Sequence, residues 1–304
     1  MVAAGVAAPL LRKRVQAPPA VMQAVALGAP LGLAVAVRRS PRRDVAVCAL
    51  QMWAYLAAYK APHDDVSGQA ARVHIRYPIV GDRIIGLGEL PSTRLQRAFA
   101  RTGPDGPEWR ALDRVLVWAH WSWFLIPHGS LLYILLRHPG RFSRSAVLTY
   151  AVFDVGASFY WVLPTAPPWF AAGAREDGAS GEQLEVRRMM VEYGEHFWRD
   201  GWGSLYSVFG GNPLAAMPSL HFATSLMAAL LLAEVGPVAG ALGKAYTATL
   251  GFALVYLGEH YVVDLIAGAA LTFAVRRSEP LAGPAVARIG RAVAALEGIA
   301  HPTG

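Results

Sequence analysis

Apolar stretches alternate with short basic loops along most of this chain. Residues 20–37, 45–60, 115–136, 145–163, 218–235, 238–257 and 259–276 are apolar. Most approach the roughly 20 residues that a helix needs to cross a bilayer. The first two read as two spans, or as one span and one interfacial helix. The pattern therefore predicts an all-α, polytopic integral membrane bundle of six or seven transmembrane helices. Between the stretches lie two polar regions, 61–113 and 170–217. Within them, residues 92–101 read as a short amphipathic helix on the membrane surface, residues 103–107 as a turn, and residues 182–198 as a helix. Residues 1–19 and 277–304 read as tails around a single membrane domain, 20–276, with a catalytic core over 145–276.

Composition agrees with a membrane setting. Hydrophobic residues make up 54% and charged residues 16%, against about 25% charged in an ordinary soluble domain. The formal net charge of +7 is carried by arginines in loops beside the apolar stretches. There they set topology and meet anionic headgroups. No basic stretch is interleaved with aromatics as a nucleic-acid groove would be, so no nucleic-acid partner is expected. The single cysteine, Cys48, excludes an internal disulfide and a cysteine-based metal site. It reads as a packed thiol. The N-terminal basic cluster Arg12-Lys13-Arg14 is followed by no evident cleavage site.

Loops rich in Lys and Arg stay cytoplasmic. Loops 38–44 and 137–144 and the pair Arg276-Arg277 share one side if the spans alternate. The opposite, extracytoplasmic side then receives region 61–113, the Pro164–Trp169 segment, His221 and His260. Usage rich in Ala, Arg and Gly suggests a bacterial plasma membrane. Oligomeric state is not legible.

The chemistry-bearing residues sit at the two ends of one apolar hairpin. Pro218-Ser219-Leu220-His221 opens the first arm, and Gly258-Glu259-His260-Tyr261-Val262-Val263-Asp264 follows the second. His260 and Asp264 are four apart, so a helix puts them on one face. A carboxylate there fixes the imidazole tautomer and raises its basicity, which suits a nucleophile attacking phosphorus. The bland alternative is a structural His–Asp hydrogen bond. His221, just past a helix-starting proline, is placed to protonate a leaving oxygen. Ser219 and the free N–H groups of that turn suit an anion, although a plain capping turn explains them too.

These residues carry a resemblance. AMPSLHFA followed by YLGEHYVVDLIAG resembles the type 2 phosphatidic acid phosphatase superfamily, in the branch that includes inositol phosphorylceramide synthase. PTAPPW at 164–169 and the NPLAAMPSLH lead-in resemble the same branch. The resemblance implies that His260 forms a phosphohistidine, that Asp264 orients it, and that His221 serves as acid and then base. It implies that Ser219 helps hold phosphate, and that neither metal nor cofactor takes part. The partners it implies are a phospholipid donor and a lipid or glycan alcohol acceptor, with phosphoinositol as the natural headgroup. Where phosphatases of the superfamily carry a Ser-Arg pair before the second histidine, this chain reads Ala253-Leu254, which fits a transferase. A lipid or polyprenyl phosphate phosphatase and a non-catalytic lipid carrier or scaffold are the alternatives.

Phosphoryl transfer needs positive charge around the equatorial oxygens. Arg187 and Arg188 are the candidates on the active side, with Arg83, Arg76 and Lys60 as rivals. Asp154, inside a span, is expected to pair with a polar group of the bundle. His120, His128, Trp118, Trp121 and Trp123 read as packing and interface-belt residues. Glu259 reads as solvated. His63, His74 and His196 show no metal-ligand spacing.

Overall fold

The computed structural model describes residues 1–11, 14–15, 19–64, 72–104, 106–173, 185–209 and 212–301. Among these, the chain is helical apart from one two-stranded hairpin. Helices α1 (Val2–Leu11), α2 (Pro19–Ala36) and α3 (Pro41–Asp64) come first, then α4 (Arg76–Ile85) and α5 (Pro91–Phe99). The hairpin β1 (Arg101–Gly103) and β2 (Gly106–Glu108) precedes α6 (Ala111–Trp121), α7 (Leu125–Arg137) and α8 (Pro139–Val162). Short helices α9 (Pro168–Gly173), α10 (Met189–Trp198) and α11 (Trp202–Phe209) lead to α12 (Leu220–Val235), α13 (Pro237–Tyr256) and α14 (Val262–Ala300).

Two of these helices, α8 and α13, are by themselves long and apolar enough to cross a bilayer; Val2–Leu11, Val21–Ala36 and Leu220–Val235 are shorter apolar helices. The stretch read as one span over 115–136 is divided into α6 and α7 by a 3₁₀ turn, Ser122–Phe124. Pro127 falls in the first turn of α7, where its missing N–H is no loss.

Several boundaries differ from the reading of the sequence. The basic loop at 137–144 contracts to His138, because Pro139 takes the first position of α8, a place its fixed φ favours. The N-terminal tail contains α1, which packs on α2. The C-terminal tail is helical to Ala300, through Pro280 and Pro284. Its far end is tied down: Glu297 accepts from Arg39 N at 2.8 Å, and His301 Nε2 lies 3.1 Å from Ala36 O. The 182–198 helix begins only at Met189, and Leu184 lies outside the described residues, as do Arg12, Lys13 and the side chains of Lys60 and His63.

The largest core cluster joins α3, α7, α8, α12 and α14 through Tyr55, Ile134, Phe153, Tyr160, Met227 and Leu271. A second joins α6, α10 and α13 through Val117, Met189, Tyr193 and Tyr256. Asp154 is paired within the bundle, accepting from Gln51 Nε2 at 2.9 Å. The arms of the hairpin, α12 and α13, touch closely because Gly240 and Gly243 face Ala233 and Ala229. A Cβ on either glycine would lie within 2.8 Å of the opposing backbone. Such small-residue contacts are a usual way for helices to approach in a membrane.

Candidate active site

Two helix starts meet at the site. Ser219 is the N-cap of α12, its hydroxyl accepting from Phe222 N at 3.3 Å. That cap orders the first turn, in which His221 is the second residue. Asp264 does the same for α14 from the third helical position, its Oδ2 accepting from the N-cap Tyr261 N at 2.9 Å, half of a capping box. The starts are bound to each other, for Ser219 N donates to Asp264 O at 3.0 Å. Gly268 and Gly156 permit this approach. A Cβ on Gly268 would stand 2.6 Å from Ser219 O, and one on Gly156 would stand 2.3 Å from Leu220 Cδ2.

His260 sits on the tight turn between α13 and α14. The backbone nitrogens of Glu259 and His260 both donate to Leu254 O at 3.0 Å. Gly258 has φ +79°, the left-handed region, and a Cβ there would meet Arg187 O at 2.5 Å; both facts demand glycine. The turn is also held by Gly258 O, which accepts from Trp169 N at 3.3 Å, and by Leu257 O, which accepts from Met189 N at 3.2 Å. The Pro164–Trp169 segment is therefore a structural strap. Thr165 bridges His74 on one side and Ala215 on the other.

The resulting line of side chains is continuous. His221 Nδ1 lies 3.2 Å from His260 Nε2, and His260 Nδ1 lies 3.3 Å from Asp264 Oδ2. Asp264 is fully buried and His260 is 4% exposed. A carboxylate in that position makes Nδ1 of His260 the protonated nitrogen and leaves the Nε2 lone pair toward His221.

Asp82 was not a candidate from the sequence, yet it supports the turn. From α4 it accepts from Val262 N and Val263 N, each at 3.0 Å, and so caps α14 from outside. Burial raises its pKa to about 6, even though both hydrogen bonds pull the other way. No local signal could have shown this contact, since 180 residues separate the partners.

Both candidate arginines are already paired. The Arg187 side chain bonds Glu192, with Nε 3.0 Å from Oε2. Arg188 Nε lies 3.0 Å from Glu259 Oε1, and its guanidinium stacks 3.6 Å above the Trp169 ring. Glu259 is thus a partner in a nearly buried ion pair, not a solvated group. Burial opposes the charge on Arg188, but Glu259 and Tyr206 outweigh it and its pKa is raised. Arg187 and Arg188 line a polar cleft of about 740 Å³ with Gln96, Arg97, Trp169 and Glu192. Arg76 is exposed on α4.

A second cavity, of about 350 Å³, opens beside His221. His120 stacks on His221 with ring centroids 5.1 Å apart, and Trp123 packs against it at 4.2 Å. From the sequence both read as packing and interface-belt residues. Their i, i+3 spacing was visible, but the helix phase that turns them to His221 was not. His128 packs instead on Phe124, Tyr150 and Phe153. Among the described residues, no group of three His, Cys, Asp or Glu converges as metal ligands would.

The sequence profile of the PAP2 superfamily matches residues 108–276, more than half of the chain. The chain belongs to the PAP2 superfamily. Among curated relatives, the inositol phosphorylceramide synthase catalytic subunit AUR1 of Saccharomyces cerevisiae is 29% identical over 121 residues, 38% of this chain and 28% of the relative. The inositol phosphorylceramide synthase of Candida albicans is 27% identical over 160 residues, 50% of this chain and 32% of the relative. The Schizosaccharomyces pombe catalytic subunit aur1 is 29% identical over 120 residues, 38% of this chain and 27% of the relative. The match thus spans about a third of the length of these relatives. No solved structure matches the chain. The matched region of the PAP2 superfamily contains His120, His221, His260, Asp264 and both arginines. Asp82 lies outside it.

Proposed function

We propose that this chain is a membrane phosphotransferase, moving a phospho-headgroup from a phospholipid to a lipid or glycan alcohol through a phosphohistidine at His260. One observation carries the reading: the line His221–His260–Asp264, with contacts of 3.2 and 3.3 Å. In the first half, His260 Nε2 attacks phosphorus as the bond from phosphorus to the donor's alcohol oxygen breaks. His221, as imidazolium, gives its proton to that oxygen. In the second half, neutral His221 takes the proton of the acceptor hydroxyl. The acceptor oxygen attacks phosphorus and the P–N bond breaks. Asp264 holds the His260 tautomer and balances the charge that develops on the ring. The contact between the two histidines must open by the width of a phosphoryl group for the donor to enter.

Arg188 is the cation best placed to meet the phosphate. Its ion-pair partner, Glu259, is the residue before His260, and Arg188 lines the polar cleft while its guanidinium lies 5.5 Å from the ring of Tyr206, a wall residue of the aromatic cavity. Arg187 is a further phosphate-binding candidate across the same cleft. Ser219 serves by fixing the turn that presents His221. The polar cleft suits a polyol headgroup, and phosphoinositol is the headgroup in the names of the relatives. Leu254, fully buried where phosphatases of the superfamily have arginine, favours transfer over hydrolysis. The domain 20–276 forms one membrane unit of six or seven spans in this reading, with the site on the extracytoplasmic face of a bacterial plasma membrane.

The test uses purified chain in detergent with headgroup-labelled phosphatidylinositol, with and without candidate acceptor alcohols. Label is expected to move to an acceptor, and His260→Ala is expected to abolish turnover. Persistent turnover in that variant overturns the mechanism. Release of inorganic phosphate from phosphatidate without acceptor favours the hydrolase instead.

A further inference from the structure

The aromatic cavity beside His221 is lined by residues with polar atoms that no group among the described residues satisfies. Both ring nitrogens of His120 are buried without a hydrogen-bond partner, and so is the indole nitrogen of Trp121. An unmade bond at a buried polar atom costs about 1–3 kcal/mol. Three such atoms in one place mark a site built for something else. Both residues line the cavity, with Trp118, Trp123, Trp202 and Tyr206 around them. An aliphatic chain alone would satisfy the aromatic walls but not the nitrogens. Water alone would satisfy the nitrogens but not the aromatic walls. A molecule with an apolar body and a hydroxyl head suits the walls and can pair with a His120 nitrogen.

The position of the cavity says which molecule this is. His221 forms part of its wall, and His120 stacks on the His221 ring with centroids 5.1 Å apart. The group that meets His221 in each half-reaction is an alcohol, first leaving and then arriving. The polar cleft lies with Arg187 and Arg188 and is the place for the headgroup. We propose that the aromatic cavity is the binding site for the lipid alcohol, and that His120 is a positioning residue that hydrogen-bonds the alcohol beside His221. The assignment rests on the reading of His221 as the group that exchanges a proton with the alcohol. It gives the headgroup and the lipid alcohol separate cavities.

Binding can be measured apart from turnover, because the cavity tryptophans report on it. Full-length protein in detergent is titrated with 1,2-dioctanoylglycerol and with its 3-deoxy analogue, following tryptophan fluorescence. The hydroxyl compound is expected to bind about tenfold more tightly, a typical effect of one buried hydrogen bond. His120→Ala should erase the preference. His120→Phe, which keeps a ring against His221 and removes both nitrogens, should erase it as well. His120→Gln should restore part of it. In turnover, the acceptor KM should rise in the Ala and Phe variants by more than kcat falls. Equal binding of the two compounds by the wild type overturns the assignment, as does a preference that survives His120→Phe. A wild type that prefers the alcohol but cleaves no donor lipid would leave this site standing and remove the transferase reading. Active enzyme without the preference would do the reverse.

Discussion

Asp82 Oδ2 lies 3.0 Å from Val262 N, so a surface helix caps the helix that carries the histidine-orienting carboxylate. Replacing Asp82 with Ala frees two part-buried backbone N–H groups at the start of α14. Loss of a cap costs about 0.5–2 kcal/mol, and the turn bearing His260 loses its outer support. Asp82→Ala is expected to lower the unfolding temperature and reduce kcat, while Asp82→Asn, which keeps one acceptor, should do so less.

The same carboxyl makes stability depend on pH. Its pKa rises from 3.8 to about 6 on folding. The folded state therefore holds the proton more tightly than the unfolded chain. Its contribution is fully present below pH 3.8 and is lost as pH rises through about 6. Thermal unfolding in detergent across this window should show wild type losing stability with rising pH relative to Asp82→Asn.

Gly268 tests how closely the two helix starts must approach. A Cβ at this position meets Ser219 O at 2.6 Å, and backbone cannot swing aside as a side chain can. Gly268→Ala is expected to push α12 from α14, separate His221 from His260, and reduce kcat by about tenfold or more. Gly283→Ala, on the same helix with nothing near the new Cβ, should be neutral or should stabilise by up to about 1 kcal/mol.

Arg188→Lys distinguishes geometry from charge. Lysine keeps the positive charge but gives up the planar stack on Trp169 and the two-nitrogen contact with Glu259. The donor KM should rise several-fold in Arg188→Lys and further in Arg188→Ala. Arg187→Ala, which removes a charge paired to Glu192, should raise it less. Equal effects from both alanine variants would count against Arg188 as the principal phosphate contact.

At the opposite end of the bundle, Glu234 joins Arg144 and Arg276, each at 2.6 Å, while Glu279 also pairs with Arg144. These groups are partly exposed, and such networks are screened by salt. Glu234→Gln should cost no more than about 1 kcal/mol, an effect that fades at high salt. KM for either substrate should not change.

The parts that the sequence makes legible are local. The helix near 92–101 and the Asp154 pairing within the bundle follow from period and burial, whereas His260 and Asp264 meet although His260 stands on the turn before α14 and not on the helical face that their spacing predicts. Residues whose roles depend on distant chain were not legible. Asp82 reaches across 180 positions, Glu259 finds Arg188 across 71, and the C-terminal helix is fixed by a loop near the other end. Hydropathy likewise could not show that the 115–136 run is interrupted, since a 3₁₀ turn leaves composition unchanged.

That short turn has a geometric consequence. A 3₁₀ helix advances 120° per residue and an α-helix about 100°, so Ser122–Phe124 rotate the chain about 60° further than unbroken helix would. The helix works there as a crank, turning a side chain before the turn and one within it toward a shared azimuth. His120 and Trp123 both come to pack on one imidazole. Lengthening or shortening this run by one residue would swing one of the two rings away, so the spacing of His120 and Trp123 is as much a part of the site as their chemistry.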